Sequence, residues 1–389
     1  MQTYRRVIII VLLSLASPFA SGCKESAQNS GSLDQSVAPK PGRWIAQYRS
    51  PASMNIRGTN LATFSYSSLS VISRDVVFVA GDIPHPKIVD NRIAVVIRTT
   101  DGGKSWTEKM IEQPGVRIPT INSMHFVSAE TGWAVGLDSA GNGIILKTTD
   151  GGNNWAVTGL PFNQVPTTVF FIDSNNGWVG GATPPPGEED GEGGPSDLLA
   201  TTDGGTTWRS QRRLPVSITD IFFLDKSTGW AGGTRGAIYH TTDSGLTWDT
   251  QRSELETGEG PIDLMGDAVK NFAIYGIHFS TPQSGFAAAG GLEDDIGRVI
   301  GTTNGGQAWA RKLSIRDKGV RDVFFLNPKV GWATIFYGHY IYFTLDGGQT
   351  WLSEQVQFEQ DVPFFRIAAA DDSHVWATAG GAVFFRVVD

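Results

Sequence analysis

The chain is built from short apolar runs, each followed by a polar turn and then a second run led by an aromatic residue. The clearest examples are MHFVSAETGWAVG (124–136), VFFIDSNNGWVGG (169–181), IFFLDKSTGWAGG (221–233), IHFSTPQSGFAAAG (277–290), VFFLNPKVGWAT (323–334) and IAAADDSHVWATAG (367–380). Apolar runs of this length bounded by turn residues predict strands paired as hairpins. LSVISRDVVFVAG (69–81) fits the same pattern with Phe78 in the tryptophan position, which makes seven copies.

A second element follows six of the seven hairpins: TTDGGKSW (99–106), TTDGGNNW (148–155), TTDGGTTW (201–208), TTDSGLTW (241–248), TTNGGQAW (302–309) and TLDGGQTW (344–351). Its acidic position, held by Asp101, Asp150, Asp203, Asp243, Asn304 and Asp346, recurs at spacings of 49, 53, 40, 61 and 42 residues. A period of about 40–50 residues is that of a four-stranded propeller blade. The aspartate can accept hydrogen bonds from turn amides, and a glycine such as Gly103 can take a positive φ. These residues therefore read as structural parts of a turn. The fold predicted is all-β, a propeller of seven four-stranded antiparallel blades.

Seven hairpins with six boxes leave one outer strand missing, and the last unit ends soon after AVFFRVVD (382–389). RWIAQYR (43–49) supplies it, with Trp44 in the place that Trp106 takes after its box. All 12 tryptophans then have a repeat position: six after boxes, five on second strands, and Trp44. They are expected to pack between neighbouring blades.

The region before residue 43 differs in kind. Arg5 and Arg6, an apolar run from Val7 to Leu13 and small residues up to Cys23 read as a signal peptide over 1–22. Ala20-Ser21-Gly22-Cys23 resembles a bacterial lipobox, with Ala20 where leucine is usual. Cys23 is thus expected to carry a lipid, and the polar segment 23–42 to act as a tether for the propeller at 43–389. The protein is expected in the cell envelope, lipid-anchored on the extracytoplasmic side of a membrane.

One cysteine excludes a disulfide scaffold, and six scattered histidines show no metal-ligand pair, so no metal or cofactor is expected. The net charge of −8 falls to −10 when Arg5 and Arg6 are removed, which argues against a nucleic-acid partner. A monomer is expected.

The boxes match the Asp-box, or bacterial neuraminidase, repeat S/T-x-D-x-G-x-x-W. The longer unit, an apolar strand, a GWAVG-like strand and then I-x-x-T-T-D-G-G-x-x-W, resembles the photosystem II assembly/stability factor family over roughly residues 43–389. The resemblance implies a non-enzymatic seven-bladed assembly factor that binds a protein partner, and an arginine-rich patch on the propeller. Arg117, Arg213, Arg321 and Arg366 fall just before or at the start of inner strands and are the binding candidates. The long loops Ile83–Arg92, Ala182–Asp197, Gln251–Phe272 and Gly291–Arg298 belong to the same face, opposite the boxes.

The alternative is a secreted, sialidase-like exo-glycosidase. Arg117-Ile118-Pro119 resembles the sialidase arginine motif, but it follows the first box instead of preceding it. Tyr275 is the one tyrosine read at an inner-strand start, without a glutamate at fixed spacing. Glu189, Asp190, Asp294 and Asp295 read as solvated runs. Two carboxyls about 5–10 Å apart in a pocket would favour hydrolysis.

Overall fold

Turns rich in Gly, Asn, Asp and Ser reverse the chain after each apolar run, so consecutive runs pair antiparallel. The computed structural model describes residues 42–50, 65–85, 92–112, 115–160, 163–183, 194–251, 272–291, 296–316, 318–358 and 363–388. The chain divides into Met1–Ala38 and Pro39–Asp389, and the sheets belong to the second unit. The expected signal peptide, Cys23, and the tether up to residue 41 lie outside the described residues.

Seven four-stranded antiparallel sheets form the blades. A single strand, β1 (Arg43–Arg49), precedes them. Blade 1 is β2 (Ser65–Val71), β3 (Val77–Pro84), β4 (Arg92–Thr99) and β5 (Thr107–Met110). Blade 2 is β6 (Thr120–Phe126), β7 (Gly132–Leu137), β8 (Gly143–Thr148) and β9 (Ala156–Gly159). Blade 3 is β10 (Val165–Phe171), β11 (Gly177–Ala182), β12 (Ser196–Thr201) and β13 (Arg209–Leu214). Blade 4 is β14 (Ile218–Phe223), β15 (Gly229–Gly233), β16 (Ile238–Thr241) and β17 (Asp249–Gln251). Blade 5 is β18 (Phe272–Phe279), β19 (Gly285–Gly291), β20 (Gly297–Thr302) and β21 (Ala310–Ile315). Blade 6 is β22 (Val320–Phe325), β23 (Gly331–Ile335), β24 (Tyr340–Thr344) and β25 (Leu352–Gln355). Blade 7 is β26 (Phe364–Ala369), β27 (Val375–Ala379) and β28 (Ala382–Val387), completed by β1, with Trp44 opposite Arg386. The N-terminal strand closes the ring, as the missing seventh outer strand predicts.

The aromatics of the repeat meet between blades. Trp133 on β7 stacks on Phe171 of the next blade at 3.6 Å, and Trp208, which follows that blade's box, meets the same ring edge-on at 5.9 Å. The same triple recurs as Trp178–Phe223–Trp248 and Trp230–Phe279–Trp309. Phe78 stacks on Phe126 at 3.7 Å, so phenylalanine does fill the tryptophan position in blade 1. Such pairs add about 0.5–1.5 kcal/mol each beyond the area they bury.

The box turns share one geometry. In the first, Asp101 Oδ1 accepts from the Ser105 amide at 2.9 Å and from the Thr99 hydroxyl at 2.8 Å, while its Oδ2 accepts from the Ser105 hydroxyl at 2.6 Å. Gly102 and Gly103 both sit at positive φ, 71° and 82°. Ser244 takes the first of these positions in the fourth box at φ 65°. Asn304 keeps the amide bond, from Ala308, where no hydroxyl is present to donate to a second oxygen.

Candidate functional site

Each blade places its first strand innermost, and every inner strand carries a register shift near its start. A β-bulge of this kind inserts an unpaired residue and re-aims its side chain. The residues at the shift are Ser67, Asn122, Thr167, Thr219, Tyr275, Arg321 and Phe365. Together with Ser65 and Arg366 they line one cavity of about 350 Å³, the mouth of the central channel opposite the boxes.

Four of the seven have a structural task. Ser67 donates to the carbonyl of Ile121 at 2.7 Å and Asn122 to that of Pro166 at 2.8 Å. Thr167 donates to Ile218 and Thr219 to Ile274. Each bond ties one blade to the next, so blades 1 to 5 are clasped in series. The next three residues are Tyr275, Arg321 and Phe365, and among the described residues none of them makes the corresponding bond. One arc of the mouth thereby exposes an aromatic, a cation and an aromatic.

A second tier of clasps lies one residue deeper. Ser68 accepts the amide of Met124 at 2.8 Å and Ser123 that of Val169 at 3.2 Å. Asp220 accepts from the Ile277 amide and Asp322 from the Ile367 amide, both at 2.9 Å. Arg366 lies between these carboxylates, 3.6 Å from Asp322 and 3.9 Å from Asp220. It also donates to the Tyr275 carbonyl at 3.3 Å. Burial pushes Asp322 up to about 7 and raises Asp220 as well, against the pull of Arg366.

Deeper still, His125, Phe170, Phe222, His278 and Phe324 form a continuous belt with ring centres 4.5–5.7 Å apart. Burial lowers both histidines to about 4, so they are neutral at physiological pH. The belt borders a cavity of about 280 Å³.

Arg321 differs from Arg366. Among the described residues no carboxylate lies within 4.0 Å of its guanidinium. The guanidinium instead lies 4.8 Å from the Tyr275 ring centre and 5.9 Å from that of Phe336. Burial and the neighbouring Arg366 bring it down to about 10, still fully charged near neutrality. The arc therefore offers positive charge over aromatic faces, a combination suited to a carboxylate beside an apolar group.

Two of the four arginines selected from the sequence do not reach the mouth. Arg117 lies before β6 and donates to the Arg92 carbonyl at 3.3 Å, beside a separate cavity of about 560 Å³ lined by His85, Ile93 and Ile111. Arg213 lies on β13, the outermost strand of its blade, paired with Asp197 at 2.6 Å. Proximity in sequence to an inner strand misplaces it, because the preceding outer strand ends four residues earlier. Tyr275 is not alone at an inner-strand start: Tyr66 on β2 shares that place, buried, with its hydroxyl on Glu108 at 3.1 Å. Glu189, Asp190, Asp294 and Asp295 lie outside the described residues. No group of three or more His, Cys, Asp and Glu is arranged to hold a metal among those described.

Sequence reasoning missed the bulge ring and the belt. The signal was present in the repeat alignment: the columns holding Ser67 and Asn122, and Thr167 and Thr219, turn into Tyr, Arg and Phe in the last three copies.

Fold and site define a seven-bladed propeller with box turns on one face and an asymmetric channel mouth on the other. Residues 66–174 match the family described as Photosynthesis system II assembly factor YCF48. The chain resembles that family. A structure of YCF48 bound to D1 peptide has 16% identity and a TM-score of 0.61, covering 90% of this chain and 98% of that one. YCF48 from Cyanidioschyzon merolae has 14% identity and a TM-score of 0.54, over 85% and 97%. The GH74 xyloglucanase from Xanthomonas campestris shares the fold as well, at 11% identity and a TM-score of 0.56, over 82% of this chain and 51% of that one. Comparison with curated protein sequences gives no match.

Proposed function

We propose that the protein is a non-catalytic scaffold, anchored through a lipid on Cys23 outside the cytoplasmic membrane, whose channel-mouth face binds a protein partner. The observation that carries this reading is the ring of bulges. Four of its positions hold the blades together, and three consecutive positions give up that bond to expose Tyr275, Arg321 and Phe365. Departures from a local structural rule are expected at functional or strained sites, and this arc carries such a departure in three consecutive copies. Similarity to the YCF48 family, and to a YCF48 that binds a peptide, supports a partner protein as the ligand and assembly of a membrane complex as the role.

The test is crosslinking and pull-down from the native membrane. Wild type is compared with Arg321→Glu/Phe365→Ser and with Cys23→Ser. Loss of capture in the double variant, with unchanged thermal unfolding, supports the reading, and equal capture overturns the assigned face. Cys23→Ser should shift the protein to the soluble fraction; continued membrane retention contradicts the lipid anchor.

A second reading, glycan hydrolysis, rests on Asp220 and Asp322 in one channel and on the GH74 likeness. Both carboxylates already bond a neighbouring blade's amide and both flank Arg366, which suits clasps better than an acid and a base around a sugar ring. Release of reducing sugar from xyloglucan, abolished by Asp322→Asn, would establish hydrolysis in place of the scaffold.

A further inference from the structure

The mouth arc continues outward over blade 6. The loop between β23 and β24 carries Phe336 and Tyr337, and β24 opens on Tyr340; the three are 39%, 44% and 46% exposed. Phe336 and Tyr337 meet edge to face at 4.9 Å, forming a ledge and not isolated side chains. A contiguous apolar patch on a domain's surface marks an interaction site, whereas singly scattered apolar residues do not. Arg321 links the two regions, because its guanidinium lies near both the Tyr275 ring inside the mouth and the Phe336 ring on the ledge. Lys318 Nζ lies against Gly338 of the same loop.

We infer that the occupant of this surface is an extended acidic–aromatic peptide segment of the partner, with a carboxylate at Arg321 and its apolar side chains crossing blade 6 over Phe336, Tyr337 and Tyr340. This deepens the proposed function and rests on it. Charge bears on the occupant: Arg321 stands against the Phe336 ring and Lys318 Nζ against Gly338 in the same loop, so two cations are at hand for carboxylates of the segment. Shape selects it too. The mouth is about 350 Å³, room for a side chain or two but not for a folded element, and the ledge is open above. Aromatic rings give large contact area at low entropic cost, which suits binding of an unstructured segment.

The experiment uses the soluble protein from residue 24 onward and three fluorescein-labelled twelve-residue peptides in a Gly-Ser frame. One carries two Asp, one Phe and one Leu, one replaces Asp by Lys, and one replaces Phe and Leu by Ala. Anisotropy titrations should give at least tenfold tighter binding for the acidic–aromatic peptide than for either control. Phe336→Ala/Tyr337→Ala should weaken it at least fivefold, and Arg321→Gln should remove the preference for Asp over Lys while leaving the thermal midpoint unchanged. Equal binding of the three peptides, or indifference to both variants, overturns the inference. A native-membrane pull-down separates the two levels. If wild type and Phe336→Ala/Tyr337→Ala capture the same partner equally, the ledge is wrong and the scaffold reading stands. If wild type captures nothing, the scaffold reading itself fails.

Discussion

Glu354 and Arg386 form an ion pair at 2.6 Å in which both side chains are fully buried. The pair sits at the seam where the chain's ends meet. Glu354 lies on β25 of blade 6 and Arg386 on β28 of blade 7. The same carboxylate also accepts from the amide of Gly42 and the indole of Trp44, both at 2.8 Å. One carboxylate therefore holds the N-terminal strand, the C-terminal strand and the preceding blade. On the other side of β1, Tyr48 and Ser50 donate to Glu108 of blade 1 at 2.9 and 2.8 Å.

The first prediction concerns that pair. Glu354→Ala removes the carboxylate that faces the buried Arg386 guanidinium and the Trp44 indole N–H, and breaking a buried pair from one side costs about 3–5 kcal/mol. Glu354→Met/Arg386→Met removes both charges and should recover most of that loss. Urea unfolding of the single and double variants measures it. A double variant no more stable than Glu354→Ala would show that the backbone at Gly42 depends on the carboxylate itself.

Deletion of β1 tests closure directly. Without residues 43–49, β28 becomes an open edge and Glu354 loses the Trp44 indole, so the whole ring should lose stability instead of one blade fraying. Thermal unfolding of the truncated protein reads this, and a midpoint equal to that of the full chain contradicts it.

The fold was legible in the sequence because its determinants are local. Turn glycines, box aspartates and tryptophans at fixed repeat positions each specify a contact that recurs, and Trp44 had an evident vacancy to fill. The site was only half legible. Arg321 and Arg366 were found because they stand at inner-strand starts, whereas Arg213 was misplaced by a strand that ends only four residues before the next. The clasps at four of the bulges are hydrogen bonds between blades, which no single repeat encodes. The ledge was missed because Phe336 and Tyr337 fall in a short loop, and Tyr340 opens β24, outside the motifs that define the repeat.

The clasp ring predicts opposite effects at equivalent positions. Thr167→Val removes a bond between blades 3 and 4 and should cost about 0.5–1.5 kcal/mol, a usual net value for one hydrogen bond. Phe365→Ser and Arg321→Gln occupy the same column without that bond and should change stability little. Chemical denaturation of the three variants decides the matter. A loss at Arg321 as large as at Thr167 would make the mouth arc structural.

The last prediction separates two sets of aspartates by pH. Hydrogen bonds from the turn lower Asp101, Asp150 and Asp203 to about 2, with the Ser105 and Thr207 hydroxyls foremost at Asp101 and Asp203 and the Asn154 amide foremost at Asp150. A carboxylate whose folded value is depressed stabilises the native state above its unfolded value, near 4, and that contribution disappears as pH falls toward 2. Asp101→Asn should therefore narrow the gap from wild type as pH drops from 4 to 2. Asp322 has the opposite sign. Burial raises it to about 7, so its favourable contribution is complete below pH 4 and is lost as pH rises through 7. The stability of wild type relative to Asp322→Asn should thus fall between pH 4 and 7 and level off above. Denaturation of both variants at half-unit pH steps provides the measurement. A pH-independent difference for Asp322→Asn would mean that Arg366 and the Ile367 amide keep this carboxylate ionised throughout.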